Sequence, residues 1–228
     1  TARLRAHRAD AGLSLVDLLV TMVLMGVLGS ILVSWFVASS RSTNGFSSRV
    51  VDLADAEVAL SKFSKDVRMA IRPAADVPAF AAASSGTVAS FYVNVASGAP
   101  LLVTYRTEAA GAGQWRLVRE VTTPSGTGPY TWPAANLRRT YVLPAMSSAS
   151  SVQFRYFRSG DSDLPPCAAP GDPGCAEPIV ASPSLTELDT VGSVELVVRS
   201  NSKPNMTAAT ELRVRVRVAN SGLTFEQP

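Results

Sequence analysis

Histidine is almost missing from this chain: 228 residues contain one, His7. No His-assisted serine or cysteine nucleophile can therefore form beyond the N-terminal stub. There is no HExxH pair, no GxxxxGK[ST] loop and no GxGxxG fingerprint, which removes zincin, P-loop and dinucleotide-binding chemistry. Cysteine is scarce too. The two present, Cys167 and Cys175, have no histidine near them and do not make a zinc site. Net charge is small, +3, and gives no electrostatic case for bulk nucleic-acid binding. Internal repeats are absent. Carboxylate-pair chemistry survives these exclusions, because any two acids can meet in space, but no pair stands out from the surface acids. The reading is a non-enzyme.

The absence with the largest consequence is that of charge between Leu18 and Ala38. At 1.5 Å per residue this run makes roughly 31 Å of helix, the thickness of a bilayer's hydrocarbon core. It is too long for the apolar region of an ordinary secretory signal, and no A-x-A-like site closes it. Arg3, Arg5 and Arg8 precede it and Arg41 is the first charge after it, so the positive-inside rule predicts residues 1–12 in the cytoplasm and the rest outside. Asp17 sits just inside the beginning of the apolar stretch from Gly12 to Ala38, immediately before the uncharged run. A lone acid there costs free energy unless something is gained from it.

At that junction stands Gly12-Leu13-Ser14-Leu15-Val16-Asp17. It resembles the type III signal of type IV pilins and type II secretion pseudopilins: a short basic leader, a glycine, an apolar first mature residue, an acid at the fifth mature position, and an apolar helix. The resemblance implies that a prepilin peptidase cuts between Gly12 and Leu13 and that the new amine on Leu13 is a methylation site. It implies that Asp17 aligns the subunit by pairing with the amine of a neighbour, since a buried charge must be paired. Two positions depart from the family. Leu13 replaces the usual Phe, and Asp17 replaces the usual Glu with a side chain one methylene shorter, which fits a low-copy subunit better than the repeating one.

Beyond the run, Phe46, Val50, Leu53, Leu60, Phe63, Val67 and Ile71 recur mostly at three, four or seven. Asp52, Asp55, Glu57, Lys62, Lys65, Asp66 and Arg68 are read as the solvated face between them. The spacing predicts one helix from near Leu13 to near Arg72, softened around Ser39–Gly45 and stopped by Pro73. It does not sustain the heptads of a coiled coil. The period then becomes two. Strands are expected at 88–95, 101–106, 115–121, 139–143, 152–156, 194–198 and 210–219, alternating as antiparallel sheet with one wet face does. The expected class is α+β: a long N-terminal helix, its first half membrane-spanning, packed on an antiparallel sheet. The order of these landmarks is similar to the J-type minor pseudopilins and W-type minor pilins.

The division expected is a basic leader over 1–12, removed on cleavage with a loss of two units of charge; a membrane and filament-core helix over 13–40; its amphipathic continuation over 41–72; and an extracytoplasmic β domain over 73–228. Outside the cytoplasm disulfides persist, so Cys167 and Cys175 are expected to bridge and pin the Pro/Gly-rich 167–175 loop. In the chain-entropy model such a bridge stabilises by about 2–3 kcal/mol. Asp161 and Asp163, with Asp172 beyond, are weak candidates for calcium; their spacing completes no calcium loop and is also ordinary turn chemistry. Otherwise no cofactor is expected. Arg213, Arg215 and Arg217 are read as solvated strand residues or partners of acids such as Glu195. The resemblance implies a minor pilin or pseudopilin that primes or caps a filament. Its partners would be the major subunit, other minor subunits, the prepilin peptidase, an inner-membrane assembly platform driven by a cytoplasmic ATPase, and the membrane before assembly. The alternative is a signal-anchored β domain acting as adhesin or DNA receptor outside any filament.

Overall fold

A computed structural model describes residues 15–94, 98–126, 129–161, 164–167, 174–179, 182–200 and 210–219. The chain divides into two compact units, Thr1–Ser48 and Arg49–Pro228. The expected helix is present as α1, Leu15–Arg68, and its backbone stays helical through the stretch expected to soften. It ends before Arg72 because the chain turns extended at once. Ala70 bridges to Val93, and Ile71 N donates to the Tyr92 carbonyl at 2.9 Å. Residues 69–71 thus satisfy the edge of the first strand before Pro73 is reached.

In the first unit, Leu15–Thr43 is long and apolar enough to cross a membrane, and its large side chains are exposed. Its hydroxyls do not contradict that use. Thr21, Ser30 and Ser34 donate to the carbonyls of Leu18, Val27 and Ser30, each at 2.8 Å. A hydroxyl spent on its own helix leaves no orphan donor for lipid to face.

In the second unit, the last turns of α1 bury Ala56, Ala59, Phe63 and Val67 completely. Seven antiparallel strands follow among the described residues. The first sheet runs in the order β1 (Val88–Val93), β2 (Leu101–Gly111), β3 (Gln114–Thr122), β4 (Leu137–Met146). The second runs β5 (Val152–Arg158), β6 (Val191–Ser200), β7 (Thr210–Arg217). Phe63 joins helix to both sheets: its ring meets Tyr105 edge-on at 5.3 Å and lies 5.7 Å from Phe154. The sheets themselves are linked where Phe154 N donates to the Gly86 carbonyl at 2.9 Å and Tyr156 Oη donates to Val88 O at 2.8 Å. The α+β class is therefore correct, but the sheet expected as one is two.

One short feature has no periodic signal. Helix α2, Leu185–Asp189, is held by a capping box in which Ser184 and Glu187 satisfy each other's backbone N–H groups. Arg72 pairs with Asp189 at its end. Strand β6 is buried on both faces, Ser193, Glu195 and Val197 included, so its alternation does not mark a wet side.

Candidate functional site

Several of the residues singled out above have a definite place. Asp17 lies in the first turn of α1, exposed, where a carboxylate complements the helix dipole. Gly12 and Leu13 lie outside the described residues, as do Asp163 and Asp172. Cys167 and Cys175 form a disulfide with Cα atoms 5.0 Å apart. The strands around it are tied down. Cys167 N donates to Ala176 O at 3.1 Å, Ala176 N to Pro165 O at 2.7 Å, and Ile179 N to the Tyr156 carbonyl of β5 at 2.7 Å.

Arg215 is the hub that holds the approach to this loop. Its guanidinium stacks on Phe157 at 3.8 Å and donates to Ser193 Oγ at 2.9 Å, to Asp161 O at 2.7 Å and to Leu164 O. Asp161 thus enters through its carbonyl. Arg213 pairs with Glu211, and Glu195 accepts from Arg155 at 3.4 Å. The arginine row is therefore in large part internal wiring of the second sheet. Among the described residues no three His, Cys, Asp or Glu gather in a way that could hold a metal ion.

Asp66 corrects the sequence reading. It was grouped with the solvated face of α1 and is 5% exposed. Arg119 of β3 grips it through Nε at 2.6 Å and Nη2 at 3.1 Å, and Tyr105 Oη donates to it at 2.7 Å. Burial, then the Asp66 charge and hydrogen bond, push the Tyr105 phenol well above its ordinary range. A bidentate guanidinium plus a phenol satisfies the carboxylate, as a buried charge requires. Beside this clamp a cleft of about 470 Å³ is lined by Lys62, Lys65, Met69, Leu101 and Thr140. Nothing in the one-dimensional spacing tells Asp66 from Asp52 or Asp55; only the partner, Arg119, 53 residues on, does.

The other face of the first sheet carries two acids, Glu108 and Glu120, that share the cation Arg106. Glu120 accepts from Arg106 at 2.8 Å and pairs with Arg139 at 2.9 Å, while Glu108 is held by Arg116 and Arg106. The hydrogen bond from Arg116 leads the causes that hold Glu108 below the usual carboxylate range. A carboxylate so held is a poor proton donor at neutral pH. Arg116 lies 4.2 Å over the ring of Tyr141. This is a cross-strand ion ladder, and its geometry offers stability and surface charge.

No protein-family model, curated protein or solved structure matches the chain.

Proposed function

We propose that the chain is a minor pilin or pseudopilin, a low-copy structural subunit that primes or caps a type IV pilus or a type II secretion-like filament. The observation that carries this reading is α1. Its first turns expose an uninterrupted apolar surface with Asp17 at the entrance, and its last turns are the core helix of an antiparallel β domain. A plain anchor has no use for a carboxylate there, and a soluble core helix has no use for Leu15–Thr43. A subunit that waits in the inner membrane and is then drawn into a helical bundle uses both. On this reading residues 1–12 face the cytoplasm, the β domain lies outside, and prepilin peptidase cuts after Gly12. The amine of Leu13 and the carboxylate of Asp17 then neutralise each other between neighbouring subunits. The protein is a substrate and building block, without catalysis of its own. Its partners are the major subunit, other minor subunits and the assembly platform.

The test is the intact mass of the membrane-extracted protein, with and without an active prepilin peptidase. Loss of residues through Gly12, with or without one added methyl, is expected. An uncut chain beside an active peptidase would overturn the reading and leave a signal-anchored β domain.

A further inference from the structure

The cleft beside Asp66 holds more positive charge than its own acid can answer. Lys62 and Lys65 reach it from neighbouring turns of α1, and Arg119 and Thr140 reach it from the first sheet. Asp66 is the one acid in the lining, and its two oxygens are already spent. Oδ2 accepts from Tyr105 and from Arg119 Nε, and Oδ1 accepts from Arg119 Nη2. Lys62 stands four residues before Asp66, the spacing at which a helix pairs a base with an acid. The carboxylate nevertheless goes to Arg119, 2.6 Å away. Among the described residues neither lysine has an ion-pair partner, and Arg119 keeps Nη1 unengaged. Arg138 lies two residues before Thr140 on β4, hence on the same side of that strand, and is exposed. Arg139, on the other side, is paired with Glu120. The rest of the lining is apolar, with Met69 and Leu101 both half-buried.

We infer that this cleft is a binding site for a small carboxylate with an apolar body. The carboxylate is held by Lys62, Lys65 and the N–H groups of Arg119 Nη1, and the body lies on Met69 and Leu101. The inference goes beyond the filament reading and does not rest on it. Size permits it: about 470 Å³ is within the usual range of small-molecule sites, about 300–1,000 Å³. Charge and wall together select the ligand. A bare inorganic anion would answer the lysines and leave the apolar wall uncovered. A neutral apolar molecule would cover the wall and draw two ammonium groups out of water without a partner. The planar fork of Arg119, the geometry that favours phosphate, is already closed on Asp66. What remains is a set of separate point donors for the two oxygens of a carboxylate. The Asp66 clamp then has a second use: it fixes the guanidinium at the cleft while Nη1 stays open.

The experiment uses the full chain in phosphatidylcholine discs at low salt, with empty discs as the blank. The probe is hydrocinnamate, followed by the broadening of its proton resonances. Binding is expected with a Kd on the order of a millimolar, as suits so small a ligand. Hydrocinnamamide has the same body without the charge and should bind about fivefold more weakly or worse, the loss of two exposed charge contacts. Added salt should weaken the carboxylate and leave the amide unchanged. Lys62→Gln together with Lys65→Gln should bring the carboxylate down to the level of the amide. Thr140→Glu gives the cleft a carboxylate of the chain's own and should do the same. All three positions are exposed, so the denaturant midpoint should hold in both variants. Equal binding of carboxylate and amide would refute the charge assignment. Binding indifferent to both variants would place the probe elsewhere on the chain and sink the site. Phenyl phosphate bound more tightly than hydrocinnamate would reject a carboxylate as the ligand class. No broadening beyond the empty discs would mean that the cleft takes no such ligand at all.

Discussion

A methyl group at position 192 would be driven into the backbone of Ser159. A Cβ built on Gly192 would lie 2.8 Å from Ser159 Oγ and 2.9 Å from its N, and closer still to its Cα. The cause is local. Phe157 pairs with Ser193 and Arg158 with Val191, so Gly192 is the extra residue of a β-bulge. The turn Ser159–Asp161 crosses directly over it, with Ser159 N bonded to Thr190 O at 2.9 Å. Gly192→Ala should therefore cost about 1–3 kcal/mol or more, the range for overpacking against atoms that cannot yield. Gly98→Ala, whose Cβ meets nothing within 4 Å, is the control, expected to change stability by less than about 0.5 kcal/mol. Denaturant midpoints of the detergent-solubilised chain would check both, and equal midpoints would refute the steric argument. Neither Gly192 nor Asp66 was legible in the sequence. A glycine inside an alternating run reads as a weak spot in a strand, and an acid between solvated neighbours reads as one more of them. What sets each apart is a partner distant in the chain, Ser159 or Arg119.

Elements were easier to read than their assembly. The seven strands stand where alternation put them, because Val, Leu, Phe and Tyr must line one face at period two. Their ends differ: β1 and β7 stop two residues early, at Val93 and Arg217, while β2 continues to Gly111 and turns through Ala112 and Gly113, both at positive φ. A two-residue turn of that hand matches strand twist, and Ala gave no hint of it. The break between β4 and β5 was not legible, since alternation says which side a residue faces and nothing about which strand lies beside it. Tyr156 marks that joint: its hydroxyl donates across to Val88 O and, at 3.2 Å, to Ser85 O. This has a consequence at high pH. Burial raises the Tyr156 phenol, and burial with the Asp66 charge raises Tyr105, both from an ordinary 10.0. The folded state then keeps protons that the unfolded chain releases. The stability they supply is complete below pH 10.0 and is lost as pH climbs toward the folded values. The phenolate absorbance of the buried pair should rise only together with loss of circular dichroism. Tyr156→Phe should lower the neutral stability by about 1 kcal/mol while flattening the alkaline limb. Titration of all five tyrosines with the dichroism unchanged would refute it.

At the scale of the whole molecule, the chain makes two kinds of apolar surface. One is the core of the second unit, covered by the chain's own folding: Phe63, Phe91, Tyr105 and Phe154 enclose one another. The other, that of Leu15–Thr43, is left exposed, so membrane or other protein must cover it. Asp17 separates the two coverings. In a bilayer near the headgroups a carboxylate reaches water by a small movement, and its removal costs nothing. In a bundle of like helices it has no water to reach, and its value depends on an amine opposite. On the proposed filament reading, Asp17→Ala should leave membrane insertion, the proposed cleavage after Gly12, the 167–175 disulfide and the denaturant midpoint of the β domain unchanged. It should reduce recovery of the protein in sheared filaments relative to its membrane pool. Asp17→Glu, which keeps the charge and adds reach, should match or exceed the native residue, and Asp17→Asn should behave as Ala. A graded loss that tracks side-chain size would mean that packing, not charge, sets the alignment. Equal recovery of all three variants would mean that Asp17 never leaves the headgroups, and that the apolar span of α1 is an anchor and nothing more.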